Sequence, residues 1–145
     1  TATDGNKALA TLVDKNGNNV KTYSSDAKDI TMPMAVLINS DTAGYGELFA
    51  CDLKDFGKAF LIGEKTAGRA DVQETFELSD GGAVVLTTSK MLPYISESFD
   101  GKGLTPDTEI ILADSLRENL STLEKERDTQ LQAAIYMLAG NSSED

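Results

Sequence analysis

The sequence has no histidine and a single cysteine, Cys51. Without histidine the chain holds no Ser-His-Asp or Cys-His machinery, and the two shortages together exclude His-containing and multi-Cys zinc sites. A lone cysteine cannot build a disulfide framework, and Cys51 falls on the apolar side of a predicted helix, where a buried structural thiol sits. Positive charge is also scarce: 13 Lys and Arg stand against 24 Asp and Glu, a net charge of −11 with a pI near 4.3. Neutralising phosphates needs a basic patch, so the balance argues against nucleic-acid and anionic-membrane partners and reads first as solubility. No apolar run is long enough to span a bilayer. Neither a signal peptide nor an initiating Met is present, which reads as a mature or excised fragment. What remains, 145 residues at 40% hydrophobic and 26% charged, is the material of one globular domain, residues 1–145.

That domain is organised around Pro33 to Gln73. Met34 to Ile38 is an unbroken apolar run of strand length, the pattern of a strand covered on both faces. Asn39 to Gly46 holds short, loop-tolerant residues apart from Tyr45. The spacing then predicts a helix over 43–56, with Phe49, Leu53 and Phe56 as its apolar stripe, Leu48 and Cys51 beside it, and Glu47, Asp52, Lys54 and Asp55 mostly elsewhere. Gly57 is placed to end it, and Ala59 to Ile62 returns as a strand. This unit points helical N–H groups at a sheet edge, where an oxyanion can sit.

Around it, residues 1–30 read as a hairpin: Ala8 to Val13, a turn at Asn16-Gly17-Asn18-Asn19, then Val20 to Tyr23. The turn falls short of a calcium loop, because the twelfth position counted from Asp14 is Ser25, not the bidentate Glu required. Strands are predicted at 34–39, 58–62, 72–78, 83–88 and 108–112, with Met91 to Asp100 as loop. The tail, 115–139, is predicted helical, with stripes Leu116, Leu120, Leu123 and Leu131, Ala134, Ile135, Leu138. Glu124 to Asp128 marks a solvated face or a break, Asp128 a candidate N-cap, Gly140 a stop and Asn141 to Asp145 a frayed end.

The blocks T-A-G-Y-G-E (42–47), G-E-K-T-A-G-R-A-D-V-Q (63–73), F-E-L-S-D-G (76–81) and G-K-G-L-T-P-D (101–107) resemble the core of the carboxyl-terminal processing peptidases (tail-specific proteases). That family reads V-L-V-N-x-x-S-A-S-A-S-E, D-Y-G-R-A, V-G-E-x-T-x-G-K-G-x-V-Q, F-x-L-S-D-G and G-x-G-I-x-P-D. The resemblance covers about three quarters of the chain, and its specificity lies in several spaced blocks together. It implies an α/β, crotonase-like core with a C-terminal helical segment, polypeptide or C-terminal-tail partners, no cofactor, a possible homo-oligomer, and an extracytoplasmic bacterial setting. In the family the middle Ser of S-A-S-A-S-E is the nucleophile, the Lys of G-K-G its general base, and the Gln four residues later orients that Lys. Carried over, these positions are Gly44, Arg69 and Gln73, with Ala43, Tyr45 and Arg69 as candidate binding residues. The family's upstream D-L-R-x-N-x-G-G and its PDZ domain are not in this sequence, which matches the second half of the catalytic domain.

Glycine offers no atom to acylate, and arginine stays protonated and cannot take a hydroxyl proton. The resemblance therefore implies a pseudopeptidase with a polypeptide-binding or regulatory role. Two other readings stay open: an active serine endopeptidase, with a shifted dyad or a site completed by missing segments, and a structural or oligomerisation domain. The shifted dyad would be Ser40 with Lys65, which like Gly44 and Arg69 stand 25 residues apart; Thr42 is another hydroxyl two residues before Gly44. Gly44 and Gly46 serve either a tight turn or an anion nest, and Arg69 is either a carboxylate clamp or a surface charge. The G-x-x-x-x-G frame at 63–68 is not a phosphate loop, since Arg69 and Ala70 replace Lys and Ser/Thr and a strand follows instead of a helix.

Overall fold

The computed structural model describes residues 8–25, 31–118 and 122–141. The chain opens with a hairpin, β1 (Ala8–Val13) and β2 (Asn19–Ser24). The Asp14 carboxylate closes its turn by accepting hydrogen bonds from the backbone N–H groups of Asn16 and Asn18, at 2.8 and 2.9 Å, so it is spent on an Asx turn as the hairpin reading requires. The remaining parts of the predicted 1–30 unit, residues 1–7 and 26–30, lie outside the described residues. Next come β3 (Met34–Ile38), α1 (Tyr45–Asp55) and β4 (Ala59–Gly63). Gly57, at φ 64, ends α1: its N–H reaches the Lys54 carbonyl at 2.9 Å and that of Lys58 the Leu53 carbonyl at 2.8 Å, a Schellman closure.

β5 (Asp71–Glu77) and β6 (Ala83–Pro93) form a long hairpin, followed by a two-residue β7 (Thr108–Glu109). The strands make two sheets, β2-β1-β6-β5 and a parallel β3-β4-β7. This is the α/β class expected. The strand predicted over 83–88 in fact continues to Pro93, and Met91 to Pro93 are not loop. Leu12 pairs with Met91, Thr11 with Leu92 and Ala10 with Pro93, a partnership across the chain that periodicity cannot reveal. The strand expected over 108–112 shrinks to its first two residues.

Helix α1 lies against β4, β6 and β1 and feeds both cores. Leu48 joins Ala10, Leu12, Ala70, Met91 and Phe99; Ala50 joins Ile38 and Leu61. Burial on two sides rotates the helix away from its predicted face. Phe49, the expected centre of the apolar stripe, is 64% exposed, whereas Glu47, expected outside, is 0% exposed. β3 is likewise less covered than its apolar run suggests: Leu37 is exposed.

The predicted 115–139 helix is broken. α2 is only Asp114–Arg117, a 3₁₀ turn follows at Lys125–Arg127, and α3 runs Thr129–Asn141. Four residues cannot sustain a helix by backbone bonding, and Ala113 supplies no side-chain cap. What holds α2 is Arg117, whose Nη2 meets the two Glu64 oxygens at 2.7 and 2.8 Å. Asp128 caps α3 as predicted, its Oδ1 accepting from Leu131 N–H at 2.9 Å. Gly140 does not stop α3, which runs past it to Asn141, against β3 and β4. Leu120 and residues 142–145 lie outside the described residues.

Candidate functional site

The site assembles where β3 and β4 end at their C-terminal edges, the edge at which open parallel sheets bind ligands. After Ile38 the chain turns on Asn39, whose side-chain oxygen accepts from the N–H groups of Asp41 and Thr42 and from the Thr42 hydroxyl, at 3.0, 3.0 and 3.1 Å. Gly44 then enters α1 at φ 61, ψ −124. That conformation strains any residue with a Cβ and makes a sharp strand-to-helix turn, the geometry that lifts a nucleophile clear of its sheet. A Cβ at residue 44 would lie 3.9 Å from the Arg69 carbonyl oxygen and 3.9 Å from the Met91 methyl carbon, so space for a side chain exists. None is present.

The loop after β4 begins at Gly63, where an added Cβ would stand 2.1 Å from the Ile38 carbonyl oxygen; only glycine allows β3 and β4 to approach so closely here. The loop is tied to the Gly44 turn by Glu47. Its Oε1 accepts from Gly68 N–H at 2.6 Å and from the Thr66 hydroxyl; its Oε2 accepts from Arg69 N–H at 2.8 Å and Gly44 N–H at 3.0 Å. Ala67 N–H adds a bond to the Thr42 carbonyl at 3.0 Å, and the 101–104 connector braces the far side through Leu104 N–H to Thr66 Oγ1 at 2.7 Å. A buried carboxylate taking four donors is well compensated for its lost hydration. Sequence reasoning assigned Glu47 no role. Two signals marked it: it is the closing Glu of T-A-G-Y-G-E, and it stands three residues past Gly44, where a helix-capping Glu reaches back.

Gly44 and Arg69 are thus brought together, backbone to backbone. The Arg69 side chain is exposed and has no hydrogen-bond or ion-pair partner among the described residues. Gln73 sits on β5 opposite Thr87, beside a register shift between Val72 and Gln73, and its side chain is exposed. Ala43 accepts from Gly46 N–H at 3.1 Å in the turn. Tyr45 projects outward and meets Tyr23 of β2 edge-on, ring centroids 6.5 Å apart, with the Lys21 ammonium 4.6 Å above the Tyr23 ring. A hydrogen bond between the two phenols lowers the Tyr23 pKa and raises that of Tyr45. Ser40 accepts from Arg117 Nη1 at 3.3 Å; arginine only donates, so this contact supplies no base.

At the other end of α1, Cys51, Asp55, Ser96, Phe99 and Leu104 help line a cavity of about 310 Å³. Burial, then the Asp55 charge, pushes the Cys51 thiol up to about 12, which leaves it protonated and inert. The same two causes raise Asp52 to about 7. Among the described residues no three His, Cys, Asp or Glu side chains gather as metal ligands would, and no helix is long and apolar enough to cross a membrane.

A glycine elbow at the head of a helix, pinned by a buried carboxylate to a loop from the neighbouring parallel strand, defines the class: an α/β scaffold with a sharp strand-to-helix turn at the C-terminal edge of its parallel sheet. The chain belongs to peptidase family S41, whose sequence model matches residues 2–110, and within it to the carboxyl-terminal processing peptidases. It is 34% identical over 119 residues to the carboxyl-terminal-processing protease of Picosynechococcus sp., covering 81% of this chain and 28% of that protein. It is 40% identical over 103 residues to the chloroplastic carboxyl-terminal-processing peptidase 1 of Arabidopsis thaliana, covering 70% of this chain and 21% of that one. The chain therefore spans about a quarter of these relatives' length. The solved photosystem II D1 C-terminal processing protease superposes with a TM-score of 0.66 at 28% identity, over 74% of this chain and 28% of its own. A putative S41 protease from Bacteroides fragilis shares the fold over 93% of this chain, at TM-score 0.67 and 22% identity.

Proposed function

We propose that this chain is a non-catalytic peptidase domain on a crotonase-like core, acting by binding polypeptide segments outside the cytoplasm. One observation carries the reading. The elbow, its Glu47 clamp and the loop beside it are built, yet residue 44 has no side chain and residue 69 carries a guanidinium. Acyl transfer needs a nucleophile and a base, and the scaffold presents neither at those positions. A peptide chain needs only an open strand edge and donors to lie against. Arg69, exposed beside the elbow and without a partner among the described residues, is suited to a carboxylate on such a chain.

The test compares the parent with the double reversion Gly44→Ser, Arg69→Lys on an unstructured polypeptide. The parent is expected to bind it saturably without cleaving it, Arg69→Ala to weaken that binding, and the reversion to gain turnover if the scaffold still holds the site. Cleavage by the parent, abolished by Ser40→Ala or Lys65→Ala, would overturn the reading in favour of an active enzyme. Absence of any saturable binding, with concentration-dependent self-association, would replace it with a structural role.

A further inference from the structure

Among the described residues β5 has a neighbour on one side only: it is the outer strand of the β2-β1-β6-β5 sheet. It starts two residues beyond Arg69 and leads away from the elbow. Along it stand Asp71, Glu74 and Glu77, and Asp80 follows in the turn; no Lys or Arg occurs from residue 70 to residue 89. Among the described residues only Asp71 has a cation near, Lys90 at 3.9 Å, and neither Glu74 nor Glu77 forms an ion pair. Interleaved with the carboxylates is apolar surface. Phe76, Leu78, Val85 and Leu86 are all exposed, and the register sets Phe76 against Val84 and Glu74 against Leu86.

A bare strand edge invites another strand, and proteins commonly guard such edges with charge, usually lysine. This edge is guarded by one sign only. It repels a second copy of the same acidic strand and an acidic peptide, and it attracts an extended segment bearing Lys or Arg between apolar residues. From this we infer that the outer edge of β5 is a docking strand for basic, partly apolar extended polypeptide. The segment would add to the sheet by main-chain hydrogen bonds, while Glu74 and Glu77 select its charge. The inference rests on the polypeptide-binding reading above and names the class of segment that reading left open.

The test uses two labelled extended peptides that share Val and Thr and carry either Lys or Glu at the remaining positions. Each is titrated by fluorescence anisotropy against the parent and against Glu74→Lys, Glu77→Lys. The Lys peptide should bind the parent at least about tenfold more tightly than the Glu peptide, and the preference should shrink at high salt. The double variant should reverse the order, while circular dichroism shows it folded. Equal binding of both peptides by the parent, or an unchanged preference in the double variant, would overturn the inference. So would a parent dimer, seen by sedimentation, that occludes the peptides. If an unbiased unfolded polypeptide binds but neither peptide does, the docking-strand inference fails alone; if nothing binds, the polypeptide-binding reading fails with it.

Discussion

Replacing Glu47 is the sharpest perturbation available, because its neighbours on α1 make opposite predictions depending on which face is buried. The side chain is fully buried and accepts hydrogen bonds from Gly44, Thr66, Gly68 and Arg69. Glu47→Gln keeps the volume but turns one acceptor into an NH₂ group that faces either the Gly44 and Arg69 N–H groups or the Gly68 N–H and the Thr66 hydroxyl, so at least one backbone donor loses its acceptor. Hydrogen bonds to a charged partner contribute roughly 1.5–3 kcal/mol each, and a buried donor left without an acceptor costs about 1–3 kcal/mol. Since the loop can relax, we expect about 2–4 kcal/mol of destabilisation for Glu47→Gln and more than about 4 kcal/mol for Glu47→Ala, against the roughly 5–15 kcal/mol that a domain has. Phe49→Ala, two residues on, removes an exposed ring and should cost under about 1 kcal/mol. Urea unfolding with unchanged m-values measures all three. If Glu47→Gln costs less than Phe49→Ala, the clamp and the orientation of α1 are both wrong.

Gly44→Ser should lower stability by about 1–3 kcal/mol through backbone strain at φ 61, with no clash to relieve; an unchanged melting temperature would contradict the turn geometry. Gly63→Ala drives a methyl group into the Ile38 carbonyl and should cost about 3 kcal/mol or more, read from the urea midpoint. The Asp52 carboxyl, raised from 3.8 to about 7 by burial and then by Asp55, takes up a proton more readily folded than unfolded. Its stabilising contribution is therefore complete below about pH 4 and lost as pH rises through 7. Asp52→Asn should gain on the parent in melting temperature above pH 7, and the gain should vanish toward pH 4. A pH-independent difference would refute the shift.

What the sequence alone determined is what local chemistry encodes. The apolar run of β3, the Gly57 stop, the hairpin turn at Asn16-Gly17 and the Asp128 cap depend on residues within a few positions of one another, and each stands where it was read. The spaced blocks around Gly44 and Arg69 carried the family, and the identities of those two residues, one without a side chain and one a guanidinium, can be read without coordinates. Tertiary structure decided which surfaces meet. Helix α1 carries apolar residues on more than one side, and only the sheets on either side of it select Leu48 and Ala50 for the core and leave Phe49 in water. Met91 to Pro93 lacks strand periodicity, but pairing with β1, some eighty positions earlier, makes it strand. Glu47 carried the signature of a helix cap, yet three of its four donors come from a loop about twenty residues away, so its place at the centre of the site was decided by packing alone.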